Sequence, residues 1–372
     1  MTSIIYVGMD VHTTNYTLCC YSMEDDRFFA EVQVEPDAKN ILKYLARIEE
    51  QQSRDCRIVC GYEAGCLGYS LYHQLHAHGI DCVILAPTTM MTKPGKRIKT
   101  DRRDARLISK CLAFHTYSPV YIPTEVDDAV KEYIRMRDDA NSALARVKQQ
   151  IIAFCIRHGK IHDGKSYWTN KHLEWLSSLD LGNKILSEVL QEYLIRYYQL
   201  REQVDMYDMR INELAQAEPY RQKVEKLGCF RGIAAHTALS FCVEVGDFRR
   251  FATARQFASY LGLVPGECSS GDKQQYTGIT KAGNSHLRKL LVETAQVFGR
   301  SATKSGKSVA LKERQAKCDS LTVADADKAN ARLKKKYFKI AMRSKVNIAK
   351  TAVAREMACF IWGMMTDNIS CA

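Results

Sequence analysis

Ile4-Ile5-Tyr6-Val7-Gly8-Met9-Asp10 decides the fold of the first third of this chain. An unbroken apolar run closed by an acid predicts a strand covered on both faces, because neither alternate set of positions is left polar for water. Working outward, residues 17–21 and 28–34 predict two more strands, with the turn at residues 23–27 between them. Residues 37–51 place Ile41, Leu42, Tyr44, Leu45 and Ile48 at helical spacing. A fourth strand, residues 56–62, leads into Glu63, and a helix follows over about residues 67–77. A fifth strand, residues 81–86, is closed by Pro87, and a last helix begins at Thr100 as N-cap and runs to Ala113. Three strands followed by alternating helices and strands predict an α/β domain with a mixed sheet over residues 1–118.

Beyond it the pattern changes. Pro123-Thr124 before Asp127 is a helix start, and Gly159 is its stop. The next long helix repeats Leu186, Leu190, Tyr193, Tyr197, Leu200, Val204, Tyr207, Ile211 and Leu214, alternating steps of four and three. That is a coiled-coil seam, open to two uses: a hairpin within the chain or an arm between two copies. Residues 119–225 are therefore expected to be a helical coiled-coil region, and residues 226–372 a mostly α C-terminal domain. Within the latter, Arg231-Gly232-Ile233-Ala234 joins two short helices in the manner of a helix-hairpin-helix turn, with Arg and Ala where such turns usually carry Pro and Gly.

Charge divides the chain unevenly. Of 372 residues, 54 are Lys or Arg and 42 Asp or Glu, a net charge of +12. Residues 251–372 hold 21 basic and 9 acidic residues, so the whole excess lies in the last third, densest at Arg332-Leu333-Lys334-Lys335-Lys336. A second basic strip runs from Lys93 to Lys110. Basic patches joined to a neutral remainder predict a nucleic-acid partner, since phosphate neutralisation dominates such affinity. The composition excludes disorder and collagen-like repeats. No apolar run is long enough to span a bilayer, and residues 1–3 lack the basic start of a secretory signal, so a cytoplasmic protein is expected. None of the 14 cysteines stands in CxxC spacing, which argues for reduced, buried thiols rather than a zinc site.

Four acids carry the chemistry. Asp10 ends the first strand, Glu63 ends the fourth, and Asp101 and Asp104 are three apart on the first turn of the last helix. Strand ends and the start of a following helix converge at one edge of an α/β fold, where sites are built. Carboxylates gathered there repel unless a hard cation neutralises them, and oxygen donors select Mg²⁺ or Mn²⁺. Two such ions suit phosphodiester chemistry.

Gly8-Met9-Asp10-Val11, Tyr62-Glu63-Ala64 and Lys99-Thr100-Asp101-Arg102-Arg103-Asp104-Ala105 resemble the DEDD motifs of insertion-sequence transposases with an RNase H-like, RuvC-like first domain. The similarity continues through Arg157-His158-Gly159-Lys160, the stretch from Val245 to Phe251, Tyr260-Leu261-Gly262-Leu263-Val264-Pro265, Ser269-Ser270-Gly271-Asp272-Lys273 and Gly278 to Asn284. Relatives in that family include DNA invertases and bridge-RNA-guided recombinases. The resemblance implies that Asp10, Glu63, Asp101 and Asp104 hold Mg²⁺ or Mn²⁺. It also implies that Ser270 of the Ser-Gly motif attacks a DNA phosphate to form a covalent phosphoserine link, resolved by strand exchange. On chemistry alone Ser269 stays an alternative nucleophile. The implied partners are donor and target double-stranded DNA, a structured guide RNA and further copies of the chain, as a dimer or tetramer, with a site composed from two subunits. Lys99, Arg102, Arg103, Lys273, Lys281 and Arg288 are the expected phosphate contacts. The rival expectation is a Mg²⁺-dependent endonuclease or junction resolvase in which water attacks and no covalent intermediate forms.

Overall fold

The protein is described here by a computed structural model covering residues 3–51, 56–90, 100–267, 275–300 and 306–368. Two units divide between Ile122 and Pro123.

In the first unit, strand β1 (Ser3–Val11) is buried through its middle on both faces, as its apolar run requires. It pairs antiparallel with β2 (Tyr16–Ser22), which pairs antiparallel with β3 (Arg27–Val34). Helix α1 (Ala38–Gln51) leads to β4 (Cys56–Glu63), which lies parallel to the other side of β1. Helix α2 (Ser70–Ala77) leads to β5 (Asp81–Leu85), parallel to β4. The sheet order is β3-β2-β1-β4-β5, a mixed α/β arrangement consistent with an RNase H-like domain. Helix α3 (Asp101–Ala113) completes the unit, with the Thr100 hydroxyl accepting the Arg103 N–H as the sequence predicts for its N-cap.

Alternation along β1 assigns its two faces. Ile5, Val7 and Met9 pack with Ile41 and Leu45 of α1 and Leu75 of α2. Tyr6 packs on the opposite face with Ile108, Cys111 and Leu112 of α3. Gly8 lies on that second face at the centre of the α3 contact. A Cβ added there would stand 2.0 Å from the Ala105 carbonyl oxygen and 2.4 Å from the Ser109 nitrogen. Its neighbour across the ladder is Gly61, where a Cβ would come 2.8 Å from Leu112 Cδ2. Two paired glycines therefore let α3 lie with its backbone directly on the sheet.

The second unit is mostly helical. Helices α4 (Glu125–Arg157) and α6 (Lys184–Gln216) form an antiparallel hairpin around α5 (Asn170–Ser177). Thr124 caps α4 as the sequence predicts, and the helix ends just before Gly159 at φ +69°. The α6 seam packs within the chain. Leu190, Leu194, Tyr197 and Val204 are buried with Leu144, Val147, Ile151 and Phe154 of α4, and Arg137 of α4 makes a bidentate pair with Asp208 of α6 at 2.7 and 2.9 Å. Of the two uses open to the seam, the hairpin is the one seen.

The hairpin base shares one core with α7 (Arg221–Gly228), α8 (Ala235–Val245), α9 (Ala254–Tyr260), α10 (Ser285–Gly299), α12 (Ser320–Ala341) and α13 (Val346–Met365), while the short hairpin of β6 (Pro265–Glu267) and β7 (Tyr276–Ile279) and helix α11 (Val309–Gln315) complete the unit. The turn between α7 and α8 is held from inside. The Arg231 N–H donates to Asn330 Oδ1, and its guanidinium donates to the Gly306 carbonyl. No helix among the described residues is long and apolar enough to cross a membrane.

Candidate functional site

The close seating of α3 brings its first turn over the ends of β1 and β4. Asp101 and Asp104 occupy that turn, and Ala105, the next residue, is the one that meets Gly8. Asp10 lies two residues beyond Gly8 on the same face of β1. Carboxylate oxygens of Asp10 and Asp101 and a ring nitrogen of His12 all lie within 4.8 Å of one another. His12 Nε2 is 3.4 Å from Asp10 Oδ1, while Asp10 Oδ2 is buried without a hydrogen-bond partner.

Electrostatics follow from this crowding. Burial pushes the Asp10 carboxyl above its ordinary pKa, His12 opposes the rise, and the charges of Asp104 and Asp101 add to it. Asp104 is thus close enough to act on Asp10. Glu63 is exposed and stands outside the Asp10–His12–Asp101 group, at the ladder position next to Asp10 that follows the Met9–Tyr62 pair. A buried, unpartnered carboxylate oxygen, neighbouring carboxylates and an imidazole make a donor set that fits a divalent cation.

Sequence reasoning overlooked His12. The signal was there: residues two apart at a strand end share a side, so Asp10-Val11-His12 puts an imidazole beside the acid.

The expected phosphate contacts divide. Lys99, Ser269, Ser270 and Lys273 lie outside the described residues. Arg102 and Arg103 are exposed on α3. Further along that basic strip, Arg106 pairs through both nitrogens with Glu31, and Lys110 sits over the rings of Tyr21 and Phe28. Those two cations are therefore held on the β2–β3 edge. Lys281 is exposed at φ +57°. Arg288 Nη1 donates to the Leu261 and Ala282 carbonyls at 2.9 and 3.0 Å, fastening the segment after β7 to the end of α9. In the densest basic run, Arg332 and Lys336 each reach the buried Glu356 of α13 at 2.5 Å, leaving Lys334 and Lys335 turned elsewhere.

A second polar cluster, unseen in the sequence, lies inside the second unit. Asp138 of α4 accepts from Arg137 Nη1 at 3.1 Å and meets His286 Nε2 at 2.8 Å and His236 Nε2 at 3.0 Å. Glu244 lies 3.3 Å from His286 Nδ1 and accepts from Asn284 Nδ2 at 2.9 Å. Burial works against charge on His286, but both carboxylates prevail and hold its pKa up to about 9. Burial also opposes ionisation of Asp138, and His236, His286 and Arg137 keep it well below the ordinary carboxylate range. Asn284 caps α10, so this network anchors the helix that follows β7.

Comparison with known proteins gives these features a context. Residues 225–313 match the transposase IS116/IS110/IS902 family, and residues 7–156 match the DEDD transposase domain of IS110 type. The transposase for insertion sequence element IS1533 of Leptospira borgpetersenii is 32% identical, across 90% of this chain and 95% of that protein. A Sinorhizobium fredii protein named as transposase y4qE is 36% identical, across 82% of this chain and 75% of its own. The transposase for element IS1111A of Coxiella burnetii is 27% identical, across 61% of this chain and 62% of that protein.

Proposed function

The chain belongs to the IS116/IS110/IS902 family of insertion-sequence transposases, enzymes that cut and join DNA, and from that premise we propose how its residues divide the work. Asp10, Glu63, Asp101 and Asp104 form the metal-holding set, with Mg²⁺ or Mn²⁺ as the ion. The observation that carries this is the buried, unpartnered Oδ2 of Asp10 among neighbouring carboxylates. Divalent ions at such a site stabilise charge on the attacking and leaving oxygens of a phosphodiester.

Ser270 is the nucleophile in this reading. Its oxygen bonds to the phosphorus as one deoxyribose oxygen leaves and takes up a proton as a free hydroxyl. Attack by the hydroxyl of another strand on the phosphoserine restores a DNA phosphodiester and returns the serine. One phosphate ester replaces another at each step, so rejoining needs no external energy source. A serine hydroxyl is a weak nucleophile without an activating neighbour, and an ion held by Asp10, Glu63, Asp101 and Asp104 would supply that activation. Residues 1–118 would supply the acids and residues 226–372 the serine, from different subunits, with the helical hairpin of residues 119–225 between them in the chain. Arg102, Arg103, Lys281 and the residues Lys99 and Lys273 are the proposed phosphate contacts. Arg288 would act there by fixing the backbone beside Lys281. A structured guide RNA is the proposed second nucleic acid, by likeness to the bridge-RNA-guided members of the family.

The test is Ser270→Ala against Asp10→Asn on supercoiled DNA carrying the element's ends. Both should lose strand cleavage while retaining DNA binding. Denatured wild-type reactions should leave protein covalently attached to DNA through a peptide containing Ser270. Cleavage that survives Ser270→Ala, with no trapped adduct, would establish the water-using endonuclease instead.

A further inference from the structure

We propose that His12 is a direct ligand of the divalent ion at the carboxylate site, so that a mixed nitrogen and oxygen donor set favours Mn²⁺ over Mg²⁺. This rests on the reading of the acids as a metal-holding set and adds a residue outside the DEDD motif.

The geometry comes from the end of β1. Val11 is the strand's last residue, and the His12 N–H donates to the Asn15 carbonyl at 3.0 Å, turning the chain back beside Asp10. His12 Nε2 then lies 3.4 Å from Asp10 Oδ1, and an Asp101 oxygen completes a trio within 4.8 Å. Around an octahedral ion with bonds of roughly 2.1 Å, neighbouring donors are about 3 Å apart and opposite ones about 4.2 Å. The His12–Asp10 separation is thus close to that of adjacent donors, and the Asp101 oxygen is near enough to join them through side-chain rotation.

A plain ion pair between His12 and Asp10 explains less. It offers one positive charge, on a side chain 46% exposed, against three carboxylates, and it leaves Asp10 Oδ2 buried without a partner. A divalent ion would meet that oxygen and also offset Asp101 and Asp104. The imidazole then bears on the choice of ion. Mg²⁺ is a hard cation that prefers oxygen donors and keeps its water, whereas a softer nitrogen donor raises relative affinity for transition metals.

Mn²⁺ binding to the metal-free, full-length protein tests this without reference to DNA cleavage. Electron spin-echo modulation of wild type loaded with Mn²⁺ should show a directly coordinated ¹⁴N, which His12→Ala and His12→Gln should both lose. Mn²⁺ affinity, read from the free-ion signal, should fall about tenfold or more in both variants. Competing Mg²⁺ should change its affinity much less. Bound Mn²⁺ without ¹⁴N coupling, or variants that bind Mn²⁺ as wild type does, would overturn the role of His12 and leave the carboxylate site standing. A wild-type chain that binds no Mn²⁺, like an Asp101→Asn control, would bring down both readings.

Discussion

Replacing Gly8 with alanine should unseat α3 and disable the site without touching a charged residue. The new Cβ would lie 2.0 Å from the Ala105 carbonyl oxygen and 2.4 Å from the Ser109 nitrogen. Carbon–oxygen contacts settle at roughly 3.3 Å, so α3 must retreat by roughly 1.3 Å. Both colliding atoms are backbone, so no rotamer change relieves them. Overpacking of this kind costs about 1–3 kcal/mol, and a clash with backbone belongs at the upper end. For a unit of this size that corresponds to a fall of roughly 10 °C in melting temperature. The chemical consequence is larger. Asp101 and Asp104 ride on the displaced turn, and a misplacement near 1 Å costs on the order of a hundredfold in rate. Plasmid cleavage by the purified variant, with its thermal melt, measures both effects. The double variant Gly8→Ala with Ser109→Gly supplies the control: removing the Ser109 side chain leaves both backbone contacts in place, so it should not rescue. Wild-type cleavage and melting in Gly8→Ala, or full rescue by Ser109→Gly, would refute the argument that backbone contact at Gly8 sets the site.

Two further expectations concern the second unit. His286 carries a pKa of about 9 in the folded protein, against about 6.5 unfolded, so its charged form contributes stability that is fully present below about pH 6.5 and lost as pH rises through about 9. His286→Gln should therefore melt well below wild type at pH 6, by on the order of 3 kcal/mol, and converge with it near pH 10; an equal gap at both would refute the assignment. In the basic run of α12, Arg332→Ala with Lys336→Ala leaves Glu356 buried without a counter-charge and should destabilise by about 3–5 kcal/mol in denaturant titrations. Lys334→Ala with Lys335→Ala should leave stability alone and reduce both nucleic-acid affinity and its salt slope, and the reverse pattern would show the roles exchanged.

What the sequence made legible follows from how local each signal was. The five strands of the first unit, the Thr100 and Thr124 caps and the stop before Gly159 are written in short stretches, where periodicity and capping act over a single turn or pleat. The meeting of Asp10 with Asp101 was legible from topology, because the ends of adjacent parallel strands and the next helix share an edge. Glu63 illustrates the limit of that reasoning. Its strand position is as expected, but the exposure of its side chain depends on packing that no spacing rule encodes. The seam of α6 was visible as a repeat, yet a repeat alone names no partner; the residues of α4 that cover it lie some fifty positions away. The Asp138–His286 contact spans 148 residues, and no motif joins its members. Charge counting does not separate Arg332 and Lys336 from Lys334 and Lys335 for a related reason, since the counter-charge of the first pair is Glu356 on another helix.

The pairing of Gly8 with α3 has a consequence for biogenesis. One side of the Asp10–Asp101 cluster is made within the first dozen residues, and the other cannot exist until residues 101–113 have emerged and coiled into a helix. A half-synthesised polypeptide therefore lacks the paired acids, and the proposed metal-holding set cannot assemble until the first unit has been translated and folded.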